Sequence, residues 1–307
     1  MVAVLECSSK GDKRFSAFYA KVEAFGKFAS IEEHYQLAKR WFDNGTLVVP
    51  KTIKDAKGKQ AVFFELNGKK YPLRYLGDFY SLLWVKYLDN NPSLVKFANQ
   101  YDEFTDMFKG KSVNCQADVV KKYVKVGRDK IISDTTDFRQ RVTAPVQYKI
   151  GDLLKSNEDV IGHQTNCIGA MGAGIAETIK NMFPEFEFAY GGYCTTVKES
   201  SELLGECQLI KTQQGLWIAN LFGQDKVSRD EKQTNEKALK KALLTLKGQA
   251  MANGWNIGLP YKIGSNLGGA DWNEVYEIIL EVFSDYPVTI YVLPKFAHEV
   301  KQLKKQK

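Results

Sequence analysis

The second half of the chain alternates short apolar runs with longer stretches of helical periodicity. The apolar runs predict six strands, at residues 146–150, 159–162, 206–212, 215–222, 256–260 and 288–293. The periodic stretches predict helices near residues 174–183, 200–204, 234–253 and 272–283. Strands separated by helices are typical of an α/β domain. We therefore expect a mixed, mostly parallel sheet between residues 146 and 307.

The first half begins with a helical signal around residue 30. Ser30 is a favourable N-cap, and Glu33 completes a capping box. Apolar residues then recur at helical spacing as far as Phe42, which predicts a helix over residues 30–42. Glu32, Gln36 and Lys39 share another face of this helix, and a solvated face is one interpretation of their spacing.

A hairpin and further helices follow in the first half. Asn67-Gly68 separates two apolar runs, which is a strong hairpin signal. Residues 77–126 predict three helices, the last of them after residues 109–111. Residues 127–145 are polar without periodicity and are interpreted as a linker. We expect a smaller, mainly helical α+β domain over residues 1–140.

Two glycine-rich loops follow predicted strands of the second half. Residues 169–174 contain three glycines and no charge, and a helix begins near Ile175. Residues 262–271 form a second glycine-rich loop after the strand at 256–260. Such loops offer backbone N–H groups to an anion, and a helix N-terminus adds its dipole. Because ligands bind at the carboxyl ends of the strands in such sheets, two loops there predict a diphosphate site.

Length and composition are typical of a globular protein. A chain of 307 residues suggests two domains, and 44% hydrophobic with 26% charged residues is ordinary for a globular protein. No apolar run approaches the roughly 20 residues that span a membrane, and residues 1–9 are too short for a signal peptide. The five cysteines show no CxxC pair, so we expect reduced thiols, a cytoplasmic protein and no metal site.

The positive charge is concentrated in the first half. Residues 1–145 hold 25 Lys and Arg against 17 Asp and Glu, a net charge of +8, whereas residues 146–307 have a net charge of −1. A nucleic-acid-facing surface is one interpretation of this asymmetry. A solvated lysine-rich surface is the other, because no dense basic run exists.

Several ordered motifs in the second half resemble a macrodomain. They are Gly151-Asp152, His163 to Asn166, Gly172 to Ala176, Ala219 to Gln224, Pro260 to Gly264, and Ala270 to Trp272. More narrowly, they resemble the branch of terminal ADP-ribose–protein glycohydrolases and ADP-ribose-1''-phosphate phosphatases. The resemblance covers about residues 146–294 and implies a three-layer α/β/α fold.

The resemblance also implies an ADP-ribose site, with ADP-ribose as ligand or product and no cofactor. Asp152, with Leu153 beside it, would accept the adenine amino group, and Asn166 would lie by the distal ribose. The phosphates would be held by two loops, made of Met171, Gly172, Ala173, Gly174 and Ile175, and of Ile263, Gly264, Ser265, Asn266, Leu267 and Gly268.

Three side chains are candidates for catalysis at the distal ribose. His163 lies where the phosphatase branch carries a histidine, although a buried strand histidine is the alternative. Asp271 would act as an acid–base group, or would simply cap the following helix. Lys226 lies within one residue of the glycohydrolase lysine. At the place of the glycohydrolase aspartate this chain has Gly268, which argues against a lysine-adduct mechanism.

The first half resembles the NADAR family, which is linked to N-glycosidic bond cleavage in ADP-ribose chemistry. The resemblance rests on residues 15–19, Gly26, Phe28 and the Glu32, Gln36 and Lys39 spacing, with a looser match at Lys86-Tyr87, Asn91-Pro92 and Leu94. The tryptophan–glycine ending of that family is missing after Asp118. The resemblance implies that Glu32 is the acid near the glycosidic bond. A basic recognition or scaffold domain is the alternative.

The sequence is compatible with three functions. The leading one is hydrolytic removal of ADP-ribose from a modified protein or nucleic acid. The second is a phosphatase acting on ADP-ribose-1''-phosphate, and the third is a non-catalytic ADP-ribose-binding module. The expected partners are ADP-ribose or an ADP-ribosylated macromolecule, nucleic acid at the basic first half, and no membrane.

Overall fold

A computed structural model describes residues 2–106, 115–228 and 230–303, and the side chains of residues 301–303 are outside that description. The chain forms two compact units, Met1–Thr143 and Ala144–Lys307. Residues 109–111, which were expected to precede a helix, lie outside the described residues. Each unit has its own hydrophobic core and is described by itself.

The first unit combines short sheets with helices. Its strands are β1 (Val4–Glu6), β2 (Lys21–Ala24), β3 (Lys27–Ser30), β4 (Lys39–Asp43), β5 (Thr46–Val48), β6 (Phe63–Leu66), β7 (Lys69–Pro72) and β8 (Glu103–Thr105). Its helices are α1 (Ile31–Ala38), α2 (Ile53–Ala56), α3 (Leu76–Asp89), α4 (Pro92–Ala98), α5 (Gln116–Lys125), α6 (Arg128–Asp134) and α7 (Thr136–Thr143). The strands pair as an antiparallel sheet in the order β5-β4-β6-β7, a β2–β3 hairpin and a parallel β1–β8 pair.

Helix α1 begins where the sequence predicts and ends earlier. Ser30 caps it by accepting a hydrogen bond from the Glu33 backbone N–H at 3.1 Å. The predicted extension to Phe42 is wrong, because β4 begins at Lys39 and pairs with β5 and β6. Phe42 is 41% exposed on this strand instead of completing a helical face. Strand pairing therefore overrides the helical spacing of the apolar residues.

The hairpin prediction is confirmed, with Asn67 and Gly68 both at positive φ between β6 and β7. The linker prediction for residues 127–145 is wrong, because α6 and α7 occupy most of this segment. Phe138 on α7 is 1% exposed and packs its ring against Phe64 at 5.8 Å and Tyr71 at 5.4 Å. The segment is therefore part of the first core. Its two helices of seven and eight residues are too short to show clear periodicity.

The second unit is a sheet between two layers of helices. Its strands are β9 (Val146–Ile150), β10 (Val160–Asn166), β11 (Cys207–Lys211), β12 (Trp217–Gln224), β13 (Ile257–Pro260) and β14 (Val288–Val292). Its helices are α8 (Gly174–Met182), α9 (Pro184–Cys194), α10 (Glu236–Asn253), α11 (Trp272–Val282) and α12 (Ala297–Leu303). The strand order is β11-β12-β10-β13-β14-β9, and β11 alone in this sheet runs antiparallel to its neighbour.

Alternate residues of the strands supply the two hydrophobic layers. Val160 belongs to the cluster that packs against α10 and α11, whereas its neighbour Ile161 belongs to the cluster that packs against α8 and α9. This alternation follows from the pleat of a strand. The predicted α/β/α layers and all six strands are confirmed. The short helix predicted at residues 200–204 is a 3-10 turn, Ser200–Leu203, and α9 was not predicted.

Among the described residues, none of the helices combines the length and the apolar character that crossing a bilayer requires. All five cysteines are free thiols.

Replacing Phe138 by Ala tests whether α7 belongs to the first core. We expect the free energy of unfolding to fall by about 3–5 kcal/mol, because the change removes a buried aromatic ring and leaves a cavity. Urea unfolding of the full chain measures this. Phe28→Ala is the control in the same unit, since Phe28 is 65% exposed and its loss should be nearly neutral. An equal effect of both changes would contradict the assignment.

Candidate functional site

The first glycine loop follows β10 and is held from inside by Asn166. The Asn166 side chain is 5% exposed, and its Oδ1 accepts hydrogen bonds from the backbone N–H groups of Ile168 at 3.1 Å and Ala170 at 2.9 Å. Its Nδ2 donates to the Ala170 carbonyl at 2.7 Å. Asn166 therefore fixes the start of the loop. The predicted contact of this residue with a ribose stays a prediction.

The rest of the first loop presents unpaired backbone donors. Six consecutive N–H groups, from Met171 to Ala176, donate to no acceptor in the part of the chain that the structure describes. Gly174 opens α8 at a φ of +62°, and Ala173 precedes it without a side-chain cap. Met171 is 4% exposed and anchors the loop in the apolar layer below it. Unpaired N–H groups at a helix N-terminus form an anion-binding concavity.

The second loop shows the same property. Ser265 donates its backbone N–H to the Lys262 carbonyl at 3.0 Å, and Ala270 donates to the Gly264 carbonyl at 3.1 Å. Between them, the four N–H groups from Asn266 to Gly269 have no acceptor within the described ranges. Ile263, 4% exposed, anchors this loop in the opposite apolar layer. The hydrogen bond from Ala270 to Gly264 therefore closes the loop, and the backbone N–H groups at its tip have no acceptor among the described residues.

The two loops lie against each other at the carboxyl edge of the sheet. A Cβ atom added to Gly174 would lie 3.4 Å from Cδ1 of Leu267, which is 55% exposed. Two sets of unpaired donors thus lie on adjoining loops. This arrangement suits a ligand with two adjacent anionic groups.

Asp152 lies at the same edge, just beyond β9. It caps a 3-10 turn, Leu153–Lys155, by accepting a hydrogen bond from the Leu154 backbone N–H at 3.0 Å. Leu153 is 4% exposed and fills the space beside Gly258, where a Cβ would lie 2.6 Å from Leu153 Cδ1. The Asp152 carboxylate is partly exposed, so it remains accessible to a ligand.

His163 lies beneath the site and inside the fold. Its side chain is 1% exposed, its Nε2 lies 2.8 Å from Oδ1 of Asn220, and its ring centroid lies 6.1 Å from that of Phe186. Burial lowers the pKa of His163 to about 4, although the hydrogen bond to Asn220 acts in the opposite direction. The imidazole is therefore neutral near pH 7. This geometry matches a buried, hydrogen-bonded strand histidine.

The other catalytic candidates of this unit lie near the surface. Asp271 is exposed and caps α11, with Oδ1 accepting from the Asn273 N–H at 2.6 Å. Lys226 is exposed, and among the described residues its ammonium group has no ion-pair or hydrogen-bond partner. Gly268 has no room for a side chain, because an added Cβ would overlap Thr234 Oγ1 and lie 2.6 Å from the Gly264 carbonyl. This loop therefore has no space for the aspartate that the resemblance to the glycohydrolases implies at this place.

Glu32 lies in the first unit and forms part of a hydrogen-bonded row that runs along α1 to Lys39, the first residue of β4. Gln36 Nε2 donates to Glu32 Oε1 at 2.8 Å, and Lys39 Nζ donates to Gln36 Oε1 at 3.0 Å. The Lys39 ammonium lies 4.1 Å from the centroid of the Tyr35 ring. Burial lowers the pKa of Lys39, while Glu32 raises it. A partly buried acid, amide and amine are therefore joined in one row of hydrogen bonds.

Sequence reasoning missed the side chains behind the second loop. Thr234 Oγ1 donates to the Gly264 carbonyl at 2.7 Å, and Gln164 Nε2 donates to Thr234 Oγ1 at 2.7 Å. These residues are 70 positions apart in the chain. No local pattern marks their contact, so only the fold reveals it.

Comparison with known proteins identifies a family for each of the two units. Residues 163–279 match the family described as Macro domain, and residues 1–150 match the family described as DarT1-associated NADAR antitoxin. The second unit is a macrodomain, and it follows a NADAR-like unit in the same chain. Both resemblances seen in the sequence are confirmed.

Individual relatives each match slightly less than half of the chain. The DNA ADP-ribosyl glycohydrolase of Mycobacterium tuberculosis is 26% identical over 149 residues, which cover 46% of this chain and 40% of that protein. The chain therefore spans about two fifths of the length of this relative. The ADP-ribose 1''-phosphate phosphatase of Saccharomyces cerevisiae is 28% identical over 176 residues, covering 48% of this chain and 98% of that protein. The solved macrodomain of Mycobacterium tuberculosis DarG is 24% identical with a TM-score of 0.41, covering 48% of this chain and 96% of that chain.

The buried histidine predicts a pH dependence of stability. The folded pKa of about 4 lies below the ordinary value of about 6.5, so the unfolded chain binds more protons between these values. Stability from this group is present above pH 6.5 and is lost as the pH falls toward 4. We expect its contribution to the free energy of unfolding to fall by roughly 2 kcal/mol from pH 7 to pH 5.

The variant His163→Gln isolates that contribution. Its amide keeps a donor for Asn220 but does not titrate. Urea unfolding at pH 7 and pH 5 should show a smaller loss for the variant than for the wild type. The same loss in both proteins would contradict the assignment of a neutral, buried imidazole.

Proposed function

We propose that the macrodomain binds ADP-ribose and hydrolyses its bond to a modified macromolecule. The single observation that carries this proposal is the pair of adjoining loops, Met171–Ala176 and Asn266–Gly269, whose ten backbone N–H groups have no acceptor among the residues that the structure describes. A diphosphate supplies acceptors for donors on both loops. Asp152, at the same edge, is the proposed acceptor for the adenine amino group.

In the proposed reaction, the loops orient the sugar that reacts. Binding energy from the diphosphate and adenine holds the distal ribose in place, and water attacks its anomeric carbon through an oxocarbenium-like state. Lys226 and Asp271 are the side chains proposed to act there, because both are exposed near the carboxyl edge. The proposed reaction needs no cofactor. The sequence match to a protein named DNA ADP-ribosyl glycohydrolase supports a conjugate of DNA as one substrate.

A phosphatase acting on ADP-ribose-1''-phosphate is the second candidate. It is favoured by the match to the yeast phosphatase, of which 98% is covered. The burial of His163 argues against it, because an imidazole that is 1% exposed and neutral does not reach a ligand from inside the fold. We therefore consider the phosphatase less well supported than the removal of ADP-ribose from a macromolecule.

We further propose that the first unit holds a second site for ADP-ribosyl chemistry, centred on Glu32. The hydrogen-bonded row of Glu32, Gln36 and Lys39 supports this, because it combines a carboxylate with a partly buried amine. The match to the NADAR antitoxin family supports it as well. The net charge of +8 on residues 1–145 favours a nucleic-acid conjugate as the substrate there.

The macrodomain proposal is tested with Gly172→Glu. Gly172 is exposed, and a Cβ there meets nothing within 4 Å, so the fold tolerates the change. The new carboxylate should repel a diphosphate and lower the affinity for ADP-ribose at least about tenfold by calorimetry. Gly192→Glu on α9 is the matched control, with the same open surroundings and no place in either loop.

The products decide between the functions. The wild type is incubated with ADP-ribosylated protein, DNA and RNA and with ADP-ribose-1''-phosphate, and mass spectrometry identifies what is released. Free ADP-ribose from a macromolecule is the expected product. Release of phosphate alone would establish the phosphatase, and binding without any turnover would establish a reader.

The site at Glu32 is tested in the Gly172→Glu background, at a substrate concentration too low for the weakened macrodomain to bind it. Residual release of ADP-ribose from nucleic-acid conjugates should fall by about a hundredfold or more in Glu32→Gln, because a positioned acid or base contributes that much. Glu33→Gln is the control, since Glu33 forms an ion pair with Lys27 at 2.6 Å. The Glu32 proposal fails if no residual release exists or if both variants retain it.

A further inference from the structure

Thr234 lies behind the second loop, where the chain enters α10. Its side chain joins two hydrogen bonds: Oγ1 donates to the Gly264 carbonyl at 2.7 Å and accepts from Gln164 Nε2 at 2.7 Å. The backbone adds two more, because the N–H groups of Thr234 and Gln233 donate to the Gly268 carbonyl at 3.0 and 2.9 Å. Both ends of the loop are therefore tied to one residue, which is 4% exposed.

Gln164 supports Thr234 from β10. Its Nε2 also donates to Gln224 Oε1 at 2.8 Å, at the end of β12. Added Cβ atoms at Gly223, Gly264 and Gly268 would lie 2.7 to 2.8 Å from the polar atoms of the Gln164 side chain. These three backbone segments thus pack directly on one amide group, and that contact fixes the distance of the loop from the sheet.

The carbonyls that Thr234 binds determine the direction of the neighbouring backbone N–H groups. The Gly264 and Gly268 carbonyls are both drawn toward Thr234, on the inner side of the loop. In a peptide unit the N–H points away from its carbonyl, so the N–H of Gly269 is turned from Thr234. Thr234 thus orients the Gly269 N–H directly, and the adjoining N–H groups of Asn266, Leu267 and Gly268 also have no acceptor among the described residues.

We infer that Thr234 and Gln164 are positioning residues that set the curvature of the second loop, and thereby the affinity for a diphosphate, without touching the ligand. This inference rests on the proposed function of the macrodomain. It assigns the control of the loop to a pair of side chains that lie on β10 and ahead of α10, outside the loop itself.

The test compares Thr234→Val with Thr234→Ser in the full chain. Valine keeps the shape of threonine but removes the hydroxyl, whereas serine keeps the hydroxyl. We expect calorimetry to show about a tenfold weaker affinity for ADP-ribose in Thr234→Val, from the loss of two hydrogen bonds, and recovery to within about twofold in Thr234→Ser. Adenosine, which lacks the diphosphate, should bind both variants as it binds the wild type.

Thr245→Val is the matched control on α10. Thr245 is exposed, and its Oγ1 donates to the Lys241 carbonyl at 3.2 Å, within the helix. Its replacement should leave both affinities unchanged. A merely structural role for Thr234 predicts instead that Thr234→Val weakens ADP-ribose and adenosine alike, and this result would overturn the inference.

Hydrogen exchange gives a readout that needs no ligand. The backbone N–H groups of Ser265 and Ala270 are bonded within the loop and should exchange faster in Thr234→Val than in the wild type or in Thr234→Ser. Unchanged exchange together with unchanged affinity would overturn the inference. A wild type that fails to bind ADP-ribose would overturn the proposed function, and faster exchange would then still support control of the loop by Thr234.

Discussion

Leaving backbone N–H groups unpaired is the constraint on which the rest of the macrodomain depends. Unsatisfied donors are costly inside a protein, and a flexible loop would turn them toward its own carbonyls. The loops are therefore stabilised by other atoms. Asn166 uses its side chain to hold the first loop, and the second is closed by the Ala270 N–H and tied to Thr234. The remaining donors stay unpaired among the described residues because their neighbours are satisfied elsewhere.

The glycines of the second loop follow from the same constraint. Gly264 and Gly268 bring their backbone against Gln164 and Thr234, where a side chain has no space. A loop that packs this closely on a polar cluster has a fixed shape, but it gives up a side chain at residue 268. The resemblance to the glycohydrolases implies an aspartate at that place. The close packing at Gly264 and Gly268 thus accounts both for the shape of the second loop and for the lack of space for a side chain at residue 268.

The sequence predicts the second unit better than the first for a physical reason. Buried parallel strands are continuous apolar runs, and the helices between them show clear periodicity, so the six strands and the two loops are visible. Helix α9 is not predicted, because its apolar residues do not mark one buried face. Phe186 is fully buried, whereas Phe188, two residues later, is 81% exposed. In the first unit, β4 and α7 depend on tertiary partners such as Phe64 and Tyr71, which lie far away in the chain.

The proposed binding residues are predicted by a resemblance, whereas nothing in the sequence points to Thr234 and Gln164 behind the second loop. Strand β10 shows why. Successive side chains point to opposite faces, so His163 packs beside Phe186 on the side of α8 and α9, while Gln164 points to Thr234 and the second loop. In sequence the two are equivalent neighbours of the glycine loop, and histidine has the more obvious chemistry. The pleat gives the amide, and not the imidazole, access to the loop that would hold a ligand.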